Sequence, residues 1–124
     1  MRIVIAGAGE VGTHLAKMLS NEELNIVLMD MDEKKLERAS HHLEVLPVVG
    51  NPTQLQDLEQ ARVEGADLFV AVTPDESMNI MACVLAKRVG ARHTIARTNN
   101  ASYLDGEYTA LMEELGVDSM IYPE

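Results

Sequence analysis

The sequence predicts an α/β fold, a doubly wound parallel sheet of six strands in the order 3-2-1-4-5-6 with helices on both faces, three layers in all. Three observations predict it. Short apolar runs alternate with amphipathic stretches along the whole chain. The first run, Arg2-Ile3-Val4-Ile5-Ala6, passes straight into Gly7-Ala8-Gly9-Glu10-Val11-Gly12, after which Val11, Leu15, Met18 and Leu19 recur at helical spacing. Eighteen residues past Gly12, closing a second apolar run (Ile26-Val27-Leu28-Met29), stands Asp30. Strand, Gly-x-Gly-x-x-Gly, helix, strand, acid is the dinucleotide-binding fingerprint of a Rossmann-type fold in its full context.

The remaining elements follow in order. The first helix is expected over residues 10–20, with Asn21-Glu22-Glu23 turning the chain into strand two. Asp32 is placed to cap the second helix, which turns Leu36 and Ala39 inward. Glu33, Lys34, Lys35, Glu37 and Arg38 read as its charged, solvated outer face. Residues 45–49 form strand three, and Pro47, which cannot donate to a ladder, assigns it to the sheet edge. Pro52 suits the first position of a third helix that turns Leu55, Leu58 and Ala61 inward. Strand four, residues 67–72, is nearly all apolar, as a strand buried on both faces should be. Thr73-Pro74-Asp75-Glu76 matches a capping box with Thr73 as cap and Glu76 reaching back. The fourth helix then carries Met78, Ala82, Leu85 and Val89 on one face and ends at Gly90. Residues 92–97 make strand five, a helix with Tyr108, Leu111, Met112 and Leu115 stops at Gly116, and residues 117–122 make strand six.

Composition bounds the function. All 124 residues form one domain, short for a complete dehydrogenase, which usually adds a second domain for substrate. A net charge of −10, with the ten Lys and Arg residues scattered along the chain, argues against a nucleic-acid partner. No apolar run approaches the ~20 residues of a membrane span. The opening strand leaves no room for a signal peptide, and the single cysteine fits a reducing compartment, so a cytoplasmic location is expected. Cys83, inside an apolar run, reads as a buried, inert thiol. No Cys/His spacing suggests a metal, and His14, His41, His42 and His93 read as surface or helix-end residues.

Ligand is expected over the carboxyl ends of strands one and four, where the winding reverses. Gly7 allows the turn, Gly9 the close approach of a pyrophosphate, and Gly12 tight packing of the helix, whose N-terminus faces the phosphates. The candidate binding residues are Gly7, Ala8, Gly9, Glu10, Val11, Gly12, Asp30 and its neighbour Met31, Asn51, Thr73 and Arg97. Asp30 would accept from a ribose 2′-hydroxyl and repel a 2′-phosphate, which favours NAD(H) or an adenine nucleotide over NADP(H). Glu10, beside the phosphates, discourages a third phosphate. Asn51 either reads an adenine edge or caps a helix, and Thr73 either touches ribose or caps the next. Asp75 and Asn79 share a helical face, in reach of ligand or a partner or simply solvated. Arg97 pairs with a phosphate or with a carboxylate across an interface. No catalytic residue is assigned: the Tyr-x-x-x-Lys pair, a placed histidine and a nucleophile elbow are all missing from the sequence.

The run from Arg2 to Gly12, Asp30, Gly50-Asn51-Pro52-Thr53, Ala66-Asp67, Ala71 to Asn79, Ile95-Ala96-Arg97 and Tyr122-Pro123-Glu124 together resemble the TrkA family of Trk-type potassium-uptake regulators. The similarity is to its N-terminal nucleotide-binding domain, the KTN or RCK domain, and runs the length of the chain. It implies a cytoplasmic regulatory subunit at the inner face of the cell membrane, assembled into dimers and rings beneath a potassium-translocating membrane subunit. It further implies that Gly7, Gly9, Gly12 and Asp30 bind nucleotide, with Asn51, Thr73 and Arg97 as secondary contacts. Many relatives carry Asp where Asn51 stands, a departure that alters the adenine or ribose contacts implied there. ATP-preferring Ktr-type relatives often carry Arg where Glu10 stands, and its absence supports NAD(H) here, with ADP, ATP or AMP as alternatives. Whole family proteins continue past the last strand into a crossover helix and a C-terminal domain, so an isolated domain is expected, with Met78, Met81 and Met112 as candidates for an uncovered surface. Two rival readings differ in outcome. A truncated NAD-dependent oxidoreductase would have its catalytic residues beyond Glu124, and a structural module would hold nucleotide permanently.

Overall fold

The computed structural model describes residues 1–20 and 22–123. Asn21 of the turn expected at 21–23, and Glu124 of the terminal motif, lie outside the described residues. The elements run β1 (Arg2–Ala6), α1 (Glu10–Leu19), β2 (Asn25–Asp30), α2 (Glu33–Ser40), β3 (Leu46–Val49), α3 (Leu55–Gln60), β4 (Leu68–Ala71), α4 (Glu76–Val89), β5 (Thr94–Arg97), a 3₁₀ turn (Ala101–Leu104), α5 (Gly106–Leu115) and β6 (Ser119–Ile121). The strands form one six-stranded sheet in the order β3-β2-β1-β4-β5-β6, as expected. All pairs are parallel, and β3, with Pro47, lies at an edge.

The apolar strands divide their side chains between two cores. Ile3 and Ile5 of β1 join Ile26, Leu28 and Val70 in a core closed by Leu15 and Ala16 of α1 and Leu36 of α2. Val4 and Ala6 join Val27, Met29 and Phe69 in the other, closed by Leu58 of α3, Ala82 and Ala86 of α4 and Met112 of α5. The period-2 alternation of β1 thus seats α1 and α2 on one face and α3 to α5 on the other. Burial of each large side chain such as Phe69, Ile5 or Leu28 stabilises the fold by about 1.5–3 kcal/mol. Leaving the sheet this way, every βα turn opens at the same end. That end is where the site lies.

Four local expectations are corrected. First, α3 begins at Leu55, not beside Asn51, and Gln54 occupies the cap position. The Asn51 Oδ1 instead accepts from the Thr53 N–H (2.9 Å) and hydroxyl (2.6 Å), an Asx turn that holds Pro52 outside the helix. The later start leaves Leu55 exposed while Leu58 and Ala61 are buried. Second, the cap of α4 is Asp75, whose carboxylate accepts from the Met78 N–H at 3.1 Å, and Thr73 lies two residues before that cap. Glu76 does not reach back; it accepts from the Thr98 hydroxyl at 2.5 Å and ties α4 to the loop after β5. Third, the buried stripe of α4 is Asn79, Ala82, Cys83 and Ala86, with Met78, Leu85 and Val89 at its half-buried flanks. Fourth, Met112, expected among the candidates for an uncovered surface, is the buried residue of α5, while Tyr108, Leu111 and Leu115 are exposed. Gly90 and Gly116 end α4 and α5 with φ of 128° and 107°, as their positions in the sequence predict.

Candidate functional site

The turn after β1 demands two of its glycines on architectural grounds. Gly7 has φ +117°, and a Cβ there would meet the backbone of Val72 and Thr73 at 3.0 Å. A Cβ on Gly12 would overlap the Gly7 carbonyl oxygen outright. Gly9 differs. Its φ is −79°, and a Cβ would make only ordinary contact, 3.5 Å from the Lys35 ammonium nitrogen. Gly9 also occupies the cap position of α1, where no side chain caps the first-turn N–H groups, so the positive end of α1 faces the turn.

Asp30, at the end of β2, is the keystone of this turn. One carboxylate oxygen accepts from the Ala8 N–H at 2.7 Å and the other from the Asp32 N–H at 2.8 Å. The same side chain therefore fixes the glycine turn against the entry to α2. Each oxygen retains a further lone pair with which it can accept a ligand hydroxyl.

Between the ends of β1, β2 and β4 opens a cleft of about 350 Å³ lined by Gly7, Asp30, Met31 and Thr73, with Pro52, Pro74 and Met78 supplying apolar wall. That is within the size range of small-molecule sites. A second groove of about 510 Å³ starts at Ala8, Gly9 and Glu10 and runs between α1 and α2. Seven of the expected binding residues line one of these two spaces: Gly7, Asp30, Met31 and Thr73 the cleft, and Ala8, Gly9 and Glu10 the groove. Val11, Gly12, Asn51 and Arg97 line neither space.

The wall of the cleft is held by a residue that the sequence leaves undecided. Asn79 is 1% exposed, and its amide oxygen accepts from the Thr73 N–H (2.9 Å) and hydroxyl (2.6 Å). Its amide nitrogen donates to the carbonyls of Thr73 (2.9 Å) and Arg97 (3.1 Å). Asn79 is thus a buried clamp joining the ends of β4 and β5, with its hydrogen-bonding capacity on Thr73 and Arg97. The Arg97 Nε is buried with no hydrogen-bond partner among the described residues. Burial pushes the Cys83 thiol up to about 12, in keeping with an inert sulfur.

Lys35, Pro52, Pro74 and Met78 are lining residues that sequence reasoning did not assign. For Lys35 a signal existed. The first turn of α2 lies at the same end of the sheet as the first turn of α1, so a long side chain there reaches the glycine turn. Periodicity alone places it on a solvated face.

A family model described as the TrkA-N domain matches residues 3–123. The chain belongs to the TrkA-N family. Over its whole length this TrkA-N chain is 40% identical to the Trk system potassium uptake protein TrkA homolog of Archaeoglobus fulgidus, of which it covers 28%. It is 32% identical, again over its whole length, to a TrkA homolog of Methanothermobacter thermautotrophicus, of which it covers 55%. The chain therefore spans from about a quarter to about half of these relatives. In fold it is similar to the TrkA-N domain of the inner membrane protein ybaL from Escherichia coli (TM-score 0.82, 18% identity, 98% of this chain and 86% of that one). It is similar also to the GsuK channel bound to NAD (TM-score 0.79, 17% identity, 97% of this chain and 21% of that one). A third likeness is to GsuK bound to ADP (TM-score 0.74, 24% identity, 98% of this chain and 30% of that one). No helix among the described residues is long and apolar enough to cross a membrane.

Proposed function

We propose that this chain is the nucleotide-sensing domain of a potassium-uptake regulator. NAD(H) or an adenine nucleotide binds over the ends of β1 and β4 and biases two arrangements of an oligomer on the cytoplasmic face of a potassium-translocating membrane subunit. The observation that carries this reading is the Asp30 carboxylate. It holds the Ala8 N–H at 2.7 Å and opens with Gly7 and Thr73 on one cleft. In this reading a ribose hydroxyl meets Asp30, a pyrophosphate lies over Gly9, and the adenine rests against Met31, Pro52 and Met78 of the cleft wall. Names of relatives add weight, because TrkA homologs are potassium uptake proteins and similarly folded GsuK structures hold NAD or ADP. Control of this kind requires that the nucleotide bind one arrangement more tightly than the other. Binding without turnover is the behaviour this reading expects, with the carboxylates, hydroxyl and ammonium of the cleft lining serving as ligand contacts.

A thermal-shift panel of NADH, NAD, NADPH, ATP, ADP and AMP tests the reading. At a hundredfold excess over Kd a ligand adds about 2.7 kcal/mol. For a domain of this size that raises Tm by roughly 5–15 °C. A shift with NADH or an adenine nucleotide, and less with NADPH, is expected. No shift with any of the six would overturn the assignment for this chain.

A further inference from the structure

We infer that Met31 and Met78 form a reversible oxidation site, through which a peroxide weakens nucleotide binding in the cleft beside Asp30. The inference rests on the nucleotide reading for its ligand. The chain holds eight methionines against one cysteine, one phenylalanine and no tryptophan. Cys83 is fully buried and its thiol, pushed up to about 12, stays protonated, so it is not the reactive sulfur. Met31, just after β2, is 51% exposed, and Met78, in the first turn of α4, is half-buried; both line the cleft. Met29 also borders the cleft but is fully buried. Met1, Met18 and Met81 are as exposed as Met31, yet none of them lines the cleft. Among the described residues, access to an oxidant and a place in the site therefore coincide at Met31 and Met78.

The step is an oxygen transfer. The thioether sulfur attacks one oxygen of hydrogen peroxide, the O–O bond breaks, an S=O bond forms and water leaves. Sulfur is oxidised by two electrons and the peroxide is reduced by two. A methionine sulfoxide reductase reverses it, returning the thioether while a dithiol closes to a disulfide and water is released. Oxidation turns a flexible apolar side chain into a polar one with a strong acceptor oxygen, and the sulfur–aromatic contact with a purine face is lost. The rest of the cleft receives that oxygen poorly. Asp30 and Asp75 offer acceptors, and the Thr73 hydroxyl already donates to Asn79. Among the lining side chains this leaves the Lys35 ammonium, or else water, as donor, and a hydrated sulfoxide displaces an apolar ring. By linkage, a seated nucleotide shields both sulfurs from the oxidant.

The test is titration with NADH and with ADP of the reduced chain, the chain oxidised by hydrogen peroxide, and the oxidised chain treated with methionine sulfoxide reductases A and B. Wild type is compared with Met31→Leu/Met78→Leu and with Met18→Leu/Met81→Leu. Leu for Met conserves volume, and the ratio of oxidised to reduced affinity is taken within each protein. Oxidised wild type is expected to bind about tenfold more weakly, the scale of losing sulfur–aromatic contacts from two side chains. The reductases should restore its affinity. Met31→Leu/Met78→Leu is expected to change less than about threefold on oxidation, and Met18→Leu/Met81→Leu to fall as wild type does. Peptide mass spectrometry should show that bound nucleotide slows sulfoxide formation at Met31 and Met78 but not at Met18 and Met81. Oxidised wild type that binds as the reduced protein does, an equal loss in Met31→Leu/Met78→Leu, or a loss the reductases do not reverse would each refute the switch alone. Reduced wild type that binds no nucleotide is a separate result, which refutes the nucleotide reading and the switch with it.

Discussion

Gly9 and Gly12 stand in the same turn and answer to different constraints. At Gly12 a Cβ overlaps backbone, which cannot move without opening the β1–α1 junction. At Gly9 the same methyl meets only the end of a flexible lysine. Gly12→Ala is therefore expected to destabilise by more than about 4 kcal/mol, read as a collapse of the urea midpoint. Gly9→Ala should keep its stability to within about 1 kcal/mol, the scale of a cap substitution. It should nonetheless weaken NADH or adenine-nucleotide binding at least about tenfold, because a pyrophosphate needs the space that the methyl takes. A Gly9→Ala variant that binds as wild type does would remove the close-approach role from this residue. Asp30 does not allow so clean a separation, since its removal frees the Ala8 and Asp32 N–H groups as well as any ribose contact.

At the scale of elements, Asn79 and Lys87 provide polar links from α4 to the strands it covers. Asn79 makes four hydrogen bonds from a buried position, and Asn79→Ala leaves the Thr73 N–H and two carbonyls without their partner. An unfolding cost of about 2–4 kcal/mol is expected, together with weaker nucleotide binding, because Thr73 is part of the cleft wall. Denaturation and titration on one preparation check both. At the other end of α4, the Asp118 carboxylate accepts from Lys87 Nζ (2.8 Å) and the Thr94 N–H (2.9 Å). Burial alone would raise its pKa, but the Lys87 hydrogen bond and the Thr94 N–H outweigh it and hold the group below the usual carboxylate range. A depressed folded pKa contributes stability above the unfolded value and loses it as pH falls through the folded value. Asp118→Asn is thus expected to cost about 1 kcal/mol at pH 7, given the partial exposure of the pair. The gap from wild type should narrow below pH ~4 and close in stronger acid. A gap that stays constant from pH 7 to pH 2 would contradict this assignment.

For the whole molecule, exposed large apolar side chains are spread along the chain, Met81 among them as expected, and one group of them falls in its last two elements. Tyr108, Leu111 and Leu115 of α5 and Ile121 of β6 are exposed, whereas Met112, a candidate for such a surface, is core at 8% exposure. If the sensor works as an oligomer, this face is the one expected to be covered. Sedimentation equilibrium of this chain should then show concentration-dependent association that Leu111→Lys/Leu115→Lys shifts toward monomer. Equal masses for the two proteins at all concentrations would exclude the α5 face.

The sequence by itself determined the order of strands and helices, the glycine turn, the acid at the end of β2 and the edge position of β3. All of these rest on local signals: a two-residue period, a glycine where a Cβ cannot fit, a proline without a donor. Tertiary structure decided the rest. Thr73 and Glu76 each have a polar group that suits a helix cap, and only the packed chain shows them bonded to Asn79 and Thr98, whereas Asn51 closes a local turn on Thr53. Asn79 reads as a surface residue until β4 and β5 bring Thr73 and Arg97 to it. Lys17, Lys35 and Arg38 look scattered along the chain, and become a cluster because right-handed crossovers set α1 and α2 side by side on one face. Hydrogen-bond partners and summed charge depend on residues distant in sequence, and those distances exist only after the sheet has formed.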